Sequence, residues 1–168
     1  TCLVLHSHSV LARLLSVTLS IALTIWPAWS NAGTFNWDPT ATNSASGGGT
    51  GFWNTTSGLW YNGAGDVPWP NTNADVAVFG GTAGTVTINT GTGVTANGLT
   101  FNSGSYIIAG NVAADSLTLA GVTPTITVTN SGDTATINAV MAGTVGFTKA
   151  GNGTLVLGNN ADTFSGDV

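Results

Sequence analysis

The residues of this sequence best suited to acid–base chemistry are its seven carboxylates, all of which are aspartates. Hydrolysis of a glycosidic bond needs two carboxylates that face one bond, and a solenoid calcium site needs Asp at short spacing after glycines. Only the last two aspartates lie close together in sequence, and each aspartate borders a predicted turn, where Asp usually binds its own backbone. We therefore expect no enzyme, no metal site and no cofactor. The seven are Asp38, Asp66, Asp75, Asp115, Asp133, Asp162 and Asp167.

Aromatic side chains offer a second kind of chemistry, the stacking of sugar rings. Residues 33–74 carry four of the six tryptophans among many glycines, asparagines and prolines. Exposed Trp and Tyr would form a glycan platform, whereas buried Trp would cover an apolar core and fill about 150–250 Å² each. The sequence favours the covering role and leaves the platform open as the alternative. The candidate glycan-stacking residues are Trp53, Trp60, Tyr61 and Trp69.

Positive charge is scarce, and Lys149 is the only Lys or Arg after Arg13. With a net charge of -5, the chain lacks the clustered cations that bind phosphate backbones, so a nucleic-acid partner is excluded. Lys149 precedes a glycine-rich turn, and we expect its ammonium to bond carbonyl oxygens of that turn.

The first 32 residues have the pattern of a secretory signal peptide. Arg13 precedes a twelve-residue apolar run at 14–25, and the small residues of Ser30-Asn31-Ala32 follow. The run is too short for a membrane-spanning helix, which needs about 20 apolar residues. Cleavage after Ala32 would remove the only Cys and both His, leaving no disulfide and no zinc ligands of those types.

From Asp75 onward the sequence repeats short strands in which an outward Thr lies between two apolar residues. This predicts an all-β, right-handed parallel β-solenoid, with a β-sandwich as the alternative. Successive Thr would stack as a ladder at Thr87, Thr100, Thr118 and Thr127. The predicted strands begin at residues 75, 85, 98, 105, 116, 125, 134, 145 and 153.

Energetics require such repeats to stack. Two buried aliphatic side chains contribute about 3–6 kcal/mol, whereas ordering ten residues costs on the order of 10–20 kcal/mol. Stability must therefore come from neighbouring turns, and an open end needs a cap. We expect residues 33–74 to form a Trp-rich N-terminal cap and 75–168 to form the solenoid.

The segment 146–166 resembles the autotransporter-associated β-strand repeat, also called the passenger-associated transport repeat. Phe147 and Phe164 replace the Leu and Tyr usual in that family. The resemblance implies a non-catalytic, secreted β-helical passenger at a bacterial cell surface or outer membrane. Its partners would be the outer-membrane translocation machinery and a host surface, neighbouring-cell surface or glycan, and the chain would be an N-terminal fragment that stops within a repeat array. The matching residues assigned structural roles are Lys149, Gly151, Gly153, Thr154, Leu155, Leu157 and Gly166.

Overall fold

The structure is a computed structural model that describes residues 32–45 and 47–168. The predicted signal peptide, apart from Ala32, lies outside the described residues. The described part consists of strands and connecting turns, and it holds no helix of the length and apolarity needed to cross a membrane. Its strands are β1 Thr34–Trp37, β2 Gly51–Trp53, β3 Trp60–Tyr61, β4 Asp66–Val67, β5 Val76–Phe79, β6 Thr85–Ile88, β7 Val94–Ala96, β8 Gly98–Phe101, β9 Ile107–Gly110, β10 Leu117–Leu119, β11 Thr125–Val128, β12 Thr134–Ile137, β13 Met141–Ala142, β14 Thr148–Ala150 and β15 Thr154–Leu157.

The strands stack as a parallel β-solenoid. Three successive turns each contribute one strand to each of three sheets: β5–β6–β7, then β8–β9–β10, then β11–β12–β13. The sheets have the orders β14-β11-β8-β5-β1-β3-β4, β15-β12-β9-β6-β2 and β13-β10-β7. Pairing is parallel everywhere except within β1–β3–β4. The predicted parallel solenoid is confirmed, and the alternative β-sandwich is wrong.

Period-two alternation produces the core. In the longest sheet, Ala77, Leu99 and Ile126 are in register and each is fully buried. Phe79 and Phe101 are also in register, and their rings stack with centroids 5.0 Å apart. Each apolar column thus runs along the solenoid axis and joins one turn to the next.

The outward Thr form only part of the expected ladder. Thr100 pairs with Thr127, but Thr118 pairs with Thr95, and Thr87 lies opposite Ala109. The Thr rows therefore run across no more than two adjacent strands and are interrupted by apolar side chains.

Residues 33–74 contribute strands to the stack and also a covering hairpin. β1 pairs with β5 and β2 with β6 in parallel register, so both extend the solenoid sheets. β3 and β4 then add antiparallel to the free edge of β1. The boundary between residues 74 and 75 remains a prediction.

Candidate functional site

The four tryptophans of 33–74 pack into one cluster at the N-terminal end of the solenoid. Trp60 lies 5.0 Å from Trp37, 4.9 Å from Trp53 and 4.7 Å from Trp69, measured between ring centroids. Trp53 and Trp60 also contact Phe79 of the first complete turn, at 5.8 and 5.7 Å. The cluster therefore covers the first layer of the core.

Hydrogen bonds orient two of these rings. The Trp37 Nε1–H donates to the Gly49 carbonyl at 2.8 Å, and the Trp69 Nε1–H donates to the Thr95 carbonyl at 3.0 Å. The indole N–H groups of Trp53 and Trp60 are buried without an acceptor among the described residues. Packing between rings, more than polar bonding, therefore holds the centre of the cluster.

The burial of these rings argues against the glycan-platform alternative. Trp53 and Trp60 are 0 % exposed and Trp69 is 1 % exposed. A sugar cannot stack on a ring that has no exposed face, so these three residues do not form a platform in this fold. Tyr61 is half-buried and donates its hydroxyl to the Gly63 carbonyl at 2.9 Å.

Five of the seven aspartates, Asp38, Asp66, Asp75, Asp115 and Asp162, accept hydrogen bonds from backbone N–H or hydroxyl groups at turns. Asp38 accepts from the backbone N–H of Thr42 and Ser44 and from the Thr40 hydroxyl. The described residues contain no group of three or more His, Cys, Asp or Glu that could hold a metal ion.

Two further aspartates link one solenoid turn to another. Asp115 accepts from the backbone N–H of Thr90 and Gly91 in the preceding turn, at 2.9 and 2.6 Å. Asp162 accepts from the Met141 N–H at 2.8 Å. The sequence predicted that these residues lie in turns, but it did not predict their hydrogen bonds to a neighbouring turn of the solenoid. Predicting those bonds requires the register in which the strands pair.

Hydrogen bonding keeps two buried carboxylates ionised. Burial raises the pKa of Asp38, but the bonds from Ser44, Thr40 and Thr42 outweigh it and leave that pKa below 3.8. Burial also raises the pKa of Asp115, and the N–H groups of Thr90 and Gly91 contribute to the hydrogen bonding that lowers it below 3.8. Such fully satisfied, low-pKa carboxylates are suited to structure and are poor general acids.

Lys149 lies on β14, which pairs in parallel with β11. It is in register with the buried Ile126, so its stem begins on the core side of β14. Its ammonium donates to the carbonyls of Ala150 and Gly151 at 2.9 and 3.0 Å. This is the bonding to turn carbonyls that the sequence led us to expect.

The other motif residues fit a tight turn and an edge strand. Leu155 and Leu157 are in register with the buried Ala135 and Ile137, and Thr154 is in register with Thr134. A Cβ at Gly153 would lie 2.4 Å from Val128 Cγ1.

Glycine is also required at two positions of this segment with positive φ. Gly151 has φ +75, and a Cβ there would lie 2.1 Å from the Val128 carbonyl oxygen. Gly166 has φ +105, and a Cβ there would lie 2.6 Å from the Gly146 nitrogen. Phe147 and Phe164, which replace the Leu and Tyr usual in the family, pack edge-to-face with ring centroids 5.6 Å apart.

An exposed, uncharged face lies on the sheet β15-β12-β9-β6-β2. No residue of these five strands is ionisable. Phe52, which sequence reasoning missed, points outward with 53 % of its surface exposed and is in register with Thr87. The signal for it was its place beside the buried Trp53, because adjacent residues in a strand face opposite ways. The other outward positions are Thr85, Thr87, Ile107, Ala109, Thr134, Thr136, Thr154 and Val156.

Comparison with known proteins gives one informative similarity. Over 137 residues, which are 79% of this chain, the sequence is 47% identical to the adhesin BmaC autotransporter of Brucella suis biovar 1 (strain 1330). The chain spans about 4% of the length of that relative. No protein-family model matches the chain, and no solved structure matches it. The resemblance to autotransporter passengers is confirmed, and the chain is homologous to a segment of an autotransporter adhesin.

Proposed function

We propose that this chain is a non-catalytic part of a secreted passenger that acts in adhesion at a bacterial cell surface. The observation that carries the proposal is its 47% identity to a segment of an autotransporter adhesin. In this proposal residues 1–32 direct export, 33–74 cap the solenoid, and 75–168 form the stacked turns. The outer-membrane translocation machinery is the partner during export.

The aspartates support the non-catalytic role. Asp38 and Asp115 are buried and saturated with hydrogen bonds, so neither can exchange a proton with a substrate without breaking a turn. Asp75, which is also buried, accepts from the Gly33 N–H and the Thr72 hydroxyl.

The uncharged outer face of the sheet β15-β12-β9-β6-β2 is the contact surface in this proposal. Strands about 4.8 Å apart give it a width of roughly 19 Å, and three or four residues give a length of about 10 Å. That area is far below the roughly 800 Å² per partner typical of a stable protein dimer. The face is therefore better suited to a small, linear ligand than to a second copy of the chain.

Neutral glycan is the ligand class that matches the chemistry of this face. Phe52 offers an exposed aromatic ring, and Thr85 and Thr87 offer hydroxyl groups two positions apart on β6. Without charges on its strands, the face has no electrostatic preference for an acidic or basic partner.

The test attaches the purified chain to beads and measures bead retention on a cell monolayer and on immobilised neutral glycans. We expect Phe52→Ser to lower retention severalfold, because it removes the aromatic anchor. Val112→Ser is the matched control, since Val112 is 52 % exposed but lies outside the five strands of this face.

The outcomes separate the parts of the proposal. Absence of retention of the unaltered chain on either surface would contradict the adhesive role. Retention on cells but not on glycans would contradict the glycan ligand alone. Equal retention of the Phe52→Ser and unaltered chains would contradict the assigned face.

A further inference from the structure

Three Asn–Gly dipeptides give this chain three chemically similar sites for spontaneous deamidation: Asn62–Gly63, Asn97–Gly98 and Asn152–Gly153. In this reaction the glycine nitrogen attacks Cγ of the asparagine, a C–N bond forms, and the side-chain nitrogen leaves as ammonia. Water then opens the succinimide ring to give Asp or isoaspartate. Glycine favours the attack because it has no side chain to obstruct the approach, and water is the only co-reactant.

The fold holds two of the three glycines in place. The Gly153 N–H donates to the Val128 carbonyl at 3.0 Å. Gly98 is buried in β8, between β5 and β11, and a Cβ there would lie 2.6 Å from the Thr125 carbonyl oxygen. Neither nitrogen can approach its asparagine without displacing a strand or breaking a bond between turns.

Asn62–Gly63 differs from both. It lies in the turn between β3 and β4, and both residues are exposed. Gly63 has φ +95 with nothing within 4 Å of a Cβ placed on it. Among residues 32–45 and 47–168, none accepts a hydrogen bond from the Gly63 N–H.

The same turn activates the Asn62 side chain. Its Oδ1 accepts from the backbone N–H of Ala64 and of Gly65, each at 3.0 Å. Two donors on this oxygen polarise the amide and would stabilise the negative charge that develops there when the Gly63 nitrogen attacks.

We propose that Asn62 is a modification site, at which the folded protein deamidates by itself through succinimide formation. The product carries one more negative charge in the hairpin that includes Trp60, and the isoaspartate form lengthens the backbone by one methylene. The hairpin bond from the Asn62 N–H to the Gly65 carbonyl, now 3.1 Å, lies next to this change. The inference does not depend on the proposed adhesive function.

Asn54 separates the effect of the donors on Oδ1 from the effect of an unobstructed backbone nitrogen. Its Oδ1 accepts from the N–H of Thr56 and Ser57, as Asn62 Oδ1 does in its own turn. The next residue is Thr55, whose β-branched side chain obstructs attack by its nitrogen. Asn54 therefore has the activating donors without the accessible nucleophile, and we expect it to remain an amide.

The test incubates the folded full chain at mildly alkaline pH and follows each asparagine by peptide mass spectrometry with isoaspartate detection. Asn62 should react at least roughly fivefold faster than Asn152. This is the factor expected when one hydrogen bond, that of the Gly153 N–H, must break before Asn152 can react. In denaturant the three Asn–Gly sites should react at similar rates, and Asn62 should react no faster than in the folded chain. Asn62→Ser serves as the blank for this peptide.

Equal rates at Asn62 and Asn152 in the folded chain would overturn the proposal. Faster reaction of Asn62 in denaturant than in the folded chain would also overturn it, because the turn would then protect the side chain.

Discussion

Phe52 and Trp53 are neighbours in β2 with opposite surroundings. Trp53 is 0 % exposed and contacts three other rings, whereas Phe52 is 53 % exposed. The contrast follows from the period of two along a strand, and it assigns a structural role to one aromatic side chain and a surface role to the other.

Trp53→Ala should lower the free energy of unfolding by about 3–5 kcal/mol, because it leaves a large cavity between the cap and the core. Phe52→Ala should change it by about 0.5 kcal/mol or less, as for other surface substitutions. Urea denaturation followed by the fluorescence of the remaining tryptophans measures both. Similar losses in the two variants would contradict the assignment.

The buried aspartates predict acid sensitivity. Because Asp38 and Asp115 have lowered pKa values in the fold, their contribution is fully present above the ordinary pKa of 3.8. It is lost as the pH falls through the lowered folded values, since the unfolded chain binds protons more readily there. The free energy of unfolding should therefore decrease as the pH drops below about 3.8.

Asp115→Asn is the matched variant for this measurement. It keeps the shape of the side chain and removes its titration, so the curve of stability against pH should be flatter than for the unaltered chain. An unchanged pH dependence would show that Asp115 does not contribute to it.

At the scale of the elements, the turn between β14 and β15 depends on Gly151. Gly151→Ala would combine a strained φ of +75 with a Cβ 2.1 Å from the Val128 carbonyl oxygen. The control is Gly91→Ala, which has φ +78 but nothing within 4 Å of the Cβ. We expect only Gly151→Ala to accelerate chymotrypsin cleavage at Leu155 and Leu157, because only it displaces the strands. Equal acceleration of cleavage in the two variants would contradict this expectation. It would mean that the positive φ alone, without the close contact to Val128, displaces the strands.

Most strands from Asp75 onward could be predicted from sequence, because each predicted segment overlaps an observed strand and most show alternating apolar residues. β7 and β13 were missed, since β13 has only two residues and β7 ends in the small Ala96, so neither shows a clear apolar alternation. β1 and β2 were also missed as solenoid strands. Long connections separate them from the strands they pair with, and their Trp-rich composition suggested a separate cap.

The candidate site was predicted less well than the fold. The sequence located the tryptophans and favoured the covering role, but it left an exposed platform open as the alternative, because the same rings can cover a core or stack on sugar. Their burial follows from contacts with Phe79, which is distant in sequence. The outward position of Phe52 likewise depends on the register between β2 and β6.

At the scale of the whole molecule, the described solenoid has unlike ends. The tryptophan cluster and the β3–β4 hairpin cover the core at the N-terminal end. At the other end, β14 and β15 are the edge strands of their sheets, and Val156 and Leu157 are exposed. Since each turn is stabilised by its neighbours, local stability should decrease from the capped end and the centre toward β14 and β15.

The most direct test of this account is hydrogen exchange of the backbone amides, measured along the folded chain by mass spectrometry. The account predicts slow exchange in β1, β5, β8 and β11 and markedly faster exchange in β14 and β15. Of these six strands, only β14 and β15 lack a neighbour on one side. If β1 instead exchanged as fast as β14 and β15, the Trp-rich segment would not be a stabilising cap, and the central claim would be contradicted.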